Sequence, residues 1–258
     1  MQLTALPPTA VFLNRLERIA DLGRAERQAI LDLSVHTLTL APNSSIIGEL
    51  EGAVHCCLIL KGWLYSYQLL SGRRRQIIGL HIPGDIPDLD GLQLIHRADR
   101  GLTALVETMI VQIRHQDLRN LAVAFPSLAD TLWRRMLLNA SITQSWLVSI
   151  SGRPAVERVA HFLCEIYIRL ESVGLAANHQ CNLPVSQYII GTILNMSTVH
   201  VNRTLHNMRN QGLITLHRKV LVINNWRHLV EMAEFDPSYL HIQPNTNNQH
   251  SWTKKSNV

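Results

Sequence analysis

Of the 258 residues only four are cysteine: Cys56, Cys57, Cys164 and Cys181. They are too few and too irregularly spaced for the disulfide framework of a secreted fold, so a reducing cytoplasm is the expected compartment. Long hydrophobic runs are lacking too. None approaches the roughly 18 apolar residues that a membrane-spanning helix needs. The opening MQLTALPPTA has no basic segment followed by an apolar one. A soluble, unprocessed protein with no membrane role is expected. Catalytic and metal-binding patterns are missing as well. There is no phosphate-cradling glycine loop, nucleophile elbow or zinc-protease motif, and the 13 histidines include no His-x3-His pair. Asp85, Asp88 and Asp90 do not make a calcium loop, because the twelfth position counted from Asp85 is His96 rather than glutamate. With no convergent acid, base, nucleophile or metal set, an enzyme is not expected.

Against these absences stands one informative segment, LPVSQYIIGTILNMSTVHVNRTLHNMRNQGLI, residues 183–214. It reads as two short amphipathic helices joined by a tight turn. Ser186 can cap the first, whose Ile189, Ile190, Ile193 and Leu194 form one apolar face. Asn195 sits in the turn, where a left-handed backbone is needed and asparagine tolerates it. Ser197 caps the second helix, in which Val201, Leu205 and Met208 recur at i, i+4 and i+7 and should be buried. The opposite face carries Thr198, Val199, Asn202, Arg203 and His206, a short, polar, cationic surface of the kind that reads base edges. Gly212 ends this helix, and two extended stretches flank His217, Arg218 and Lys219, a hairpin wing with a basic tip. By helix pattern alone a plain helical hairpin fits equally well; the wing tips the reading toward DNA. A net charge of +5 favours a polyanionic partner without proving one.

Elsewhere, hydrophobic residues at 47% and charged residues at 17% describe a globular chain long enough for two domains. Residues 11–35 read as helical. From Thr37 to Ile113 short apolar segments alternate with glycine turns at Gly48, Gly52, Gly62, Gly72, Gly79, Gly84, Gly91 and Gly101, the texture of an all-β roll or barrel. Ser71-Gly72-Arg73-Arg74-Arg75 reads as a charged hairpin tip. A long helix is expected from Ser127 to Ile150, behind Pro126. Leu128, Leu132, Met136, Asn139, Thr143 and Trp146 recur along it at near-heptad spacing and are taken as a dimer seam, with Asn139 fixing register. Ser151-Gly152-Arg153-Pro154 is the expected hinge, followed by a helix from Ala155 to about Val173 that stops at Gly174. The expected fold is α+β: a β-roll over 1–126, a dimerisation helix and hinge over 127–152, a winged helix-turn-helix over 153–235 and a disordered tail over 236–258.

On these residues the chain resembles the Crp/Fnr superfamily of bacterial transcription regulators, across roughly residues 11–230. Ser-Thr-Val-His-Val-Asn-Arg-Thr-Leu, 197–205, looks like the family's recognition helix, and Arg153, Glu157, Arg158, Val159, Ala160, Leu163 and Cys164 resemble its helix after the hinge. Gly62, Gly72 with Arg73 and Gln76, and Pro83-Gly84-Asp85 look like its β-roll turns. The resemblance implies a cyclic-nucleotide-binding-type β-roll and a homodimer on an inverted repeat of double-stranded DNA. RNA polymerase is the further partner that it implies. Thr198, Val199, Asn202 and Arg203 would read bases. Ser186, Gln187, Ser197, His200, His206, Arg218 and Lys219 would position phosphates. Val199 departs from the acidic residue of many members and offers only apolar contact, for instance to a thymine methyl.

The signal is harder to read. Cyclic-nucleotide members of the family carry a glutamate after Phe-Gly and an Arg-Ser pair. Here stand the acidic Ile86-Pro87-Asp88-Leu89-Asp90-Gly91 and, near the second place, Asp99-Arg100-Gly101. An acidic loop repels phosphate, so cAMP is not expected. Residues 1–55 contain no cysteine, so the N-terminal cluster that holds an iron–sulfur centre in the redox members is missing. Cys56 and Cys57, pointing to opposite faces of a strand, read as buried residues rather than a thiol sensor. No cofactor is evident, and an unknown small-molecule or redox signal is left open. The alternative function is a small-molecule-binding β-roll protein whose C-terminal domain contacts protein rather than DNA.

Overall fold

A computed structural model describes residues 7–47, 54–92 and 100–242. The chain opens with helices α1, Pro8–Glu17, and α2, Arg24–Leu31, broken between them at Asp21-Leu22-Gly23. Seven strands follow: β1 Val35–Leu40, β2 Ser45–Ile47, β3 His55–Lys61, β4 Leu64–Leu69, β5 Arg75–His81, β6 Gly101–Ala104 and β7 Thr108–Arg114. They form two antiparallel sheets, ordered β1-β7-β3 and β2-β6-β4-β5. This is the expected roll. Cys57, Ile59, Leu64, Leu102, Ala104 and Ile110 fill the space between the sheets. Gly72 turns the β4–β5 hairpin at φ 73°, as its charged tip predicts. Gly48 and Gly52 lie outside the described residues.

Helices α3, His115–Ala124, and α4, Pro126–Gly152, come next, with Pro126 in the first turn of α4, where its missing N–H costs nothing. Past the hinge lie α5, Ala155–Ser172; the hairpin of β8, Ala176–Ala177, and β9, Gln180–Asn182; then α6, Gln187–Leu194, and α7, Thr198–Asn210. Strands β10, Ile214–His217, and β11, Val220–Ile223, make the wing, and α8, Trp226–Ala233, closes the domain. The wing joins the earlier hairpin in one sheet ordered β10-β11-β9-β8. No helix among the described residues is long and apolar enough to cross a membrane.

Helix α5 is the spine of the molecule. The sequence predicts one apolar face, yet every position from 159 to 170 is buried. Its polar residues His161, Glu165 and Arg169 stand in an i, i+4, i+8 row and are buried with partners: His161 packs on Phe235 and Tyr239, Glu165 accepts from Trp146 of α4, and Arg169 reaches the roll. Arg169 Nη2 donates to Asp85 Oδ2 at 2.8 Å and to the Leu80 carbonyl at 2.8 Å, while Nη1 reaches Glu165 Oε1 at 3.1 Å. Arg135 of α4 donates to Asp85 Oδ1 at 2.7 Å, and Arg15 of α1 reaches the same oxygen at 3.3 Å. Three guanidiniums thus converge on one carboxylate carried by the Pro83-Gly84-Asp85 turn. Gly84, at φ +87°, is required there, since a Cβ would stand 2.7 Å from Arg15 Nε.

Two sequence-based expectations are corrected. First, the proposed dimer seam faces inward. Leu128 and Leu132 are buried in their own protomer's core with α1, α2 and the roll, and Met136 packs against it. Trp146 is buried against α5, its Nε1–H donating to both oxygens of Glu165 at 2.9 and 3.0 Å. Asn139 Nδ2 donates to the Ile86 carbonyl at 3.3 Å and is half-buried, and Thr143 is exposed, its hydroxyl donating to the Asn139 carbonyl. Second, the tail is ordered at its start. A turn of helix over Pro237–Leu240 packs on α4 and α5: Tyr239 donates to Glu165 Oε2 at 2.8 Å and stacks on His161, and Leu240 is buried. The tail from 243 to 258 lies outside the described residues.

Burial drives the Asp85 carboxyl upward, but Arg169, Arg135 and Arg15 with the Ile82 N–H overcome it and hold the group well below the usual carboxylate range. Its stabilising effect is therefore full above the unfolded value near 4 and disappears as pH falls below it. Asp85→Ala strands buried guanidiniums and is expected to cost about 3–5 kcal/mol in urea unfolding at pH 7. The gap between variant and wild type should narrow on titration toward pH 3; a gap below 1 kcal/mol at pH 7, or one independent of pH, contradicts this account.

Candidate nucleic-acid interface

The two helices of the 183–214 segment meet through atoms that the sequence pattern anticipates. Ser186 Oγ accepts the Ile189 N–H at 3.3 Å and Ser197 Oγ accepts the His200 N–H at 3.2 Å, so each helix has its N-cap. Asn195 adopts the left-handed conformation at φ 52°, ψ 51°. Gly191 allows the turn to close: a Cβ there would stand 2.6 Å from the Met196 carbonyl oxygen, which would force the two helices apart. Ile190, Ile193 and Leu194 of α6 are buried with Val201, Leu205 and Met208 of α7 in one core that includes α5. Arg158 of α5 braces the turn from behind by donating to the Leu194 carbonyl at 2.9 Å.

This packing leaves the opposite face of α7 free. Thr198, Val199, Asn202, Arg203 and His206 are all exposed, Val199 at 80%. Asn202 Nδ2 donates to Gln187 Oε1 at 3.0 Å, a tie between the two helices that holds the Asn202 amide in one orientation. Gln187, expected only as a phosphate contact, is therefore also a positioning residue; its fifteen-residue separation from Asn202 gave no local signal. Tyr188, the next residue of α6, is 63% exposed. His200 is half-buried and its backbone N–H is taken by the cap, so only its ring is available to a partner.

At the wing tip Arg218 and Lys219 both have positive φ, 47° and 66°, with His217 and Val220 paired across the turn. Positive φ at both central positions is the tight hairpin geometry that usually recruits asparagine and glycine. Two basic residues here carry backbone strain, and both are exposed. The same geometry recurs at Asn178 and His179 between β8 and β9. The structure thus presents the exposed face of α7 and a basic wing tip on one domain. That domain is seated on the roll through α5 and through Gln76 of β5, whose Nε2 donates to the Thr192 carbonyl at 2.8 Å.

The cysteines lie apart from this face. All four are buried, Cys56 and Cys57 on opposite sides of β3, and burial pushes their thiols upward, Cys181 to about 12. A thiol held protonated is neither a ready nucleophile nor a metal ligand.

Comparison with known proteins agrees with this geometry. Residues 157–232 match the Crp-like helix-turn-helix domain. The chain is 29% identical over 156 residues to the transcriptional activator protein FnrA of Stutzerimonas stutzeri, a match covering 60% of this chain and 63% of FnrA. It thus spans less than two thirds of that relative's length. It is 28% identical over 184 residues to the nitrogen fixation regulation protein FixK of Azorhizobium caulinodans, covering 70% and 73% of the two chains. The solved structure of FixK2 from Bradyrhizobium japonicum superposes with a TM-score of 0.71 at 27% identity, covering 78% of this chain and 98% of that one.

Proposed function

We propose that this chain, which belongs to the Crp/Fnr family of regulators, is a sequence-specific DNA-binding transcription regulator that grips an inverted repeat as a homodimer. The observation that carries the reading is the exposed, capped and braced α7, with Thr198, Val199, Asn202 and Arg203 outward and a basic wing beside it. Arg203 bonds guanine O6 and N7; Asn202, oriented by Gln187, addresses an adjacent base; Val199 packs on a thymine methyl. Ser186, Ser197, His206, Arg218 and Lys219 hold phosphates. The cap serines keep their hydroxyl protons for this, because in the caps they only accept. The protein works in the cytoplasm, without catalytic activity of its own, and RNA polymerase is the partner through which it acts. Neither cAMP nor an iron–sulfur cluster is part of the reading: the β-roll sequence has neither the glutamate after Phe-Gly nor the Arg-Ser pair, residues 1–55 hold no cysteine, and the four thiols are buried.

The second copy docks on α4, on the face one residue round from the expected seam. Trp133, Leu137 and Leu147 are 52%, 62% and 67% exposed, and with Ala140 and Gln144 they follow spacings of four, three, four and three. This is a heptad seam left uncovered by the protomer, the pattern that buries itself against its symmetry mate. Two recognition helices related by a two-fold axis then enter successive major grooves about 34 Å apart.

Arg203→Ala is expected to lower affinity for the preferred site by about 1–3 kcal/mol and to flatten base preference at one symmetric pair of positions. Anisotropy titrations over a panel of single-base site variants measure both, and an unchanged preference would remove Arg203 from base reading. The double variant Trp133→Glu/Leu137→Glu places like charges in the seam and should sediment as a folded monomer with weakened DNA binding. Leu132→Glu should instead destabilise the protomer itself. A Trp133/Leu137 variant that stays dimeric places the interface elsewhere.

A further inference from the structure

At the junction of α1, α4, α5 and the 236–242 segment lies a cavity of about 1040 Å³. Its lining includes Arg15, Arg18, Arg134, Arg135 and Arg169 and the apolar Leu138, Ile142 and Leu240. It lies on the wall of α4 that faces α1 and the tail, away from the exposed Trp133–Leu147 stripe, so dimerisation through that stripe does not fill it.

The carboxylates that share the lining are already engaged. Asp85 accepts from three arginines, Glu17 from Arg27 at 2.5 Å, Glu171 from the Tyr167 hydroxyl at 2.8 Å, and Asp236 caps the Ser238 N–H at 2.9 Å. Asp21 is exposed at the rim. The arginines are not so fully used. Arg135 has a side chain only 6% exposed, and it spends one terminal N–H on Asp85 while its Nε–H is buried without a hydrogen-bond partner. Arg134, one residue back on α4, is exposed and has no ion-pair partner among the described residues. Two neighbouring guanidiniums on one cavity lining, Arg134 without an ion-pair partner among the described residues and Arg135 only partly spent on Asp85, beside Leu138, Ile142 and Leu240, make a site suited to an anion with an apolar body.

We propose that this cavity binds a small organic anion, with its carboxylate or similar oxyanion against Arg134 and Arg135 and its aliphatic body on Leu138, Ile142 and Leu240. Such a ligand bridges α4 and the C-terminal turn inside a cavity that α1 and α5 also line. If it binds one placement of the DNA-binding domain better than another, it shifts the balance between them, which makes the cavity an effector site for the regulator. The binding itself does not depend on the DNA-binding reading, and it is measured without DNA.

The probes are hexanoate, its neutral counterpart hexan-1-ol and inorganic phosphate, titrated calorimetrically into the full chain at constant ionic strength. Hexanoate is expected to bind once per chain with a dissociation constant below about 10 mM. Phosphate should bind at least severalfold more weakly, and hexan-1-ol should give no saturable heat. Arg134→Gln should weaken hexanoate about tenfold, as loss of a charge-assisted contact does. Arg135→Lys, which keeps a cation for Asp85 but presents one nitrogen in place of the planar fork, should weaken it comparably while leaving the far-ultraviolet spectrum close to wild type. Should Arg135→Lys fail to fold, Arg134→Gln, on an exposed side chain, decides alone. Absence of saturable hexanoate binding, equal binding of hexan-1-ol or phosphate, or hexanoate affinity unchanged by Arg134→Gln would overturn the proposal.

Discussion

A single buried carboxylate holds the parts of this protein in register. Asp85 lies on a turn of the β-roll, and the three guanidiniums on it come from the N-terminal helix, the long helix and the spine of the DNA-binding domain. A charge so placed is tolerable only with its partners present, because the solvation it has lost is compensated by directional, charge-assisted bonds. The three arginines exceed one carboxylate, and Glu165 supplies the second negative charge from one turn away on α5. Glu165 is itself fixed by Trp146 and Tyr239. A continuous polar network therefore runs from the roll to the C-terminal turn, and its geometry specifies one docking of the two domains where an apolar interface would allow sliding.

That network fixes the position of a small helix-turn-helix. Helix α7 has only its inner face in contact with the protein, and its outer residues are held by two serine caps, the Arg158 brace and the Gln187–Asn202 bond. Helix α5, buried around its whole circumference, transmits the position of the roll to the back of the helix-turn-helix. Of the expected hinge Ser151-Gly152-Arg153-Pro154, the first two residues continue α4, and the backbone leaves helical geometry at Arg153 and Pro154 before α5 begins. A ligand in the cavity beside Asp85 would act at the meeting point of these elements.

How much of this was legible in the sequence depended on distance along the chain. The helix-turn-helix was legible almost to the residue, because its caps, its left-handed Asn195 and its apolar faces are local signals within thirty-two residues. The row expected as a seam on α4 faces inward, and a second row, 133-137-140-144-147, has the same spacing as 132-136-139-143-146 and lies exposed. A period says that a face exists and not what covers it. The Asp85 cluster is invisible in the sequence, since its partners lie 50, 70 and 84 residues away and their types are ordinary surface residues. The start of the tail was read as disordered from its polar composition, although Tyr239 and Leu240 anchor it. Two anchors suffice where a prepared acceptor, Glu165, is waiting.

The central claim is that α7 reads DNA as one of a symmetric pair, and selection of bound duplexes from a random pool by the purified chain tests it most directly. The account predicts enrichment of an inverted repeat whose half-site centres lie about one helical turn, roughly 34 Å, apart, with a guanine at the position facing Arg203. Enrichment of no sequence, or of a single asymmetric site bound by a monomer, would contradict it.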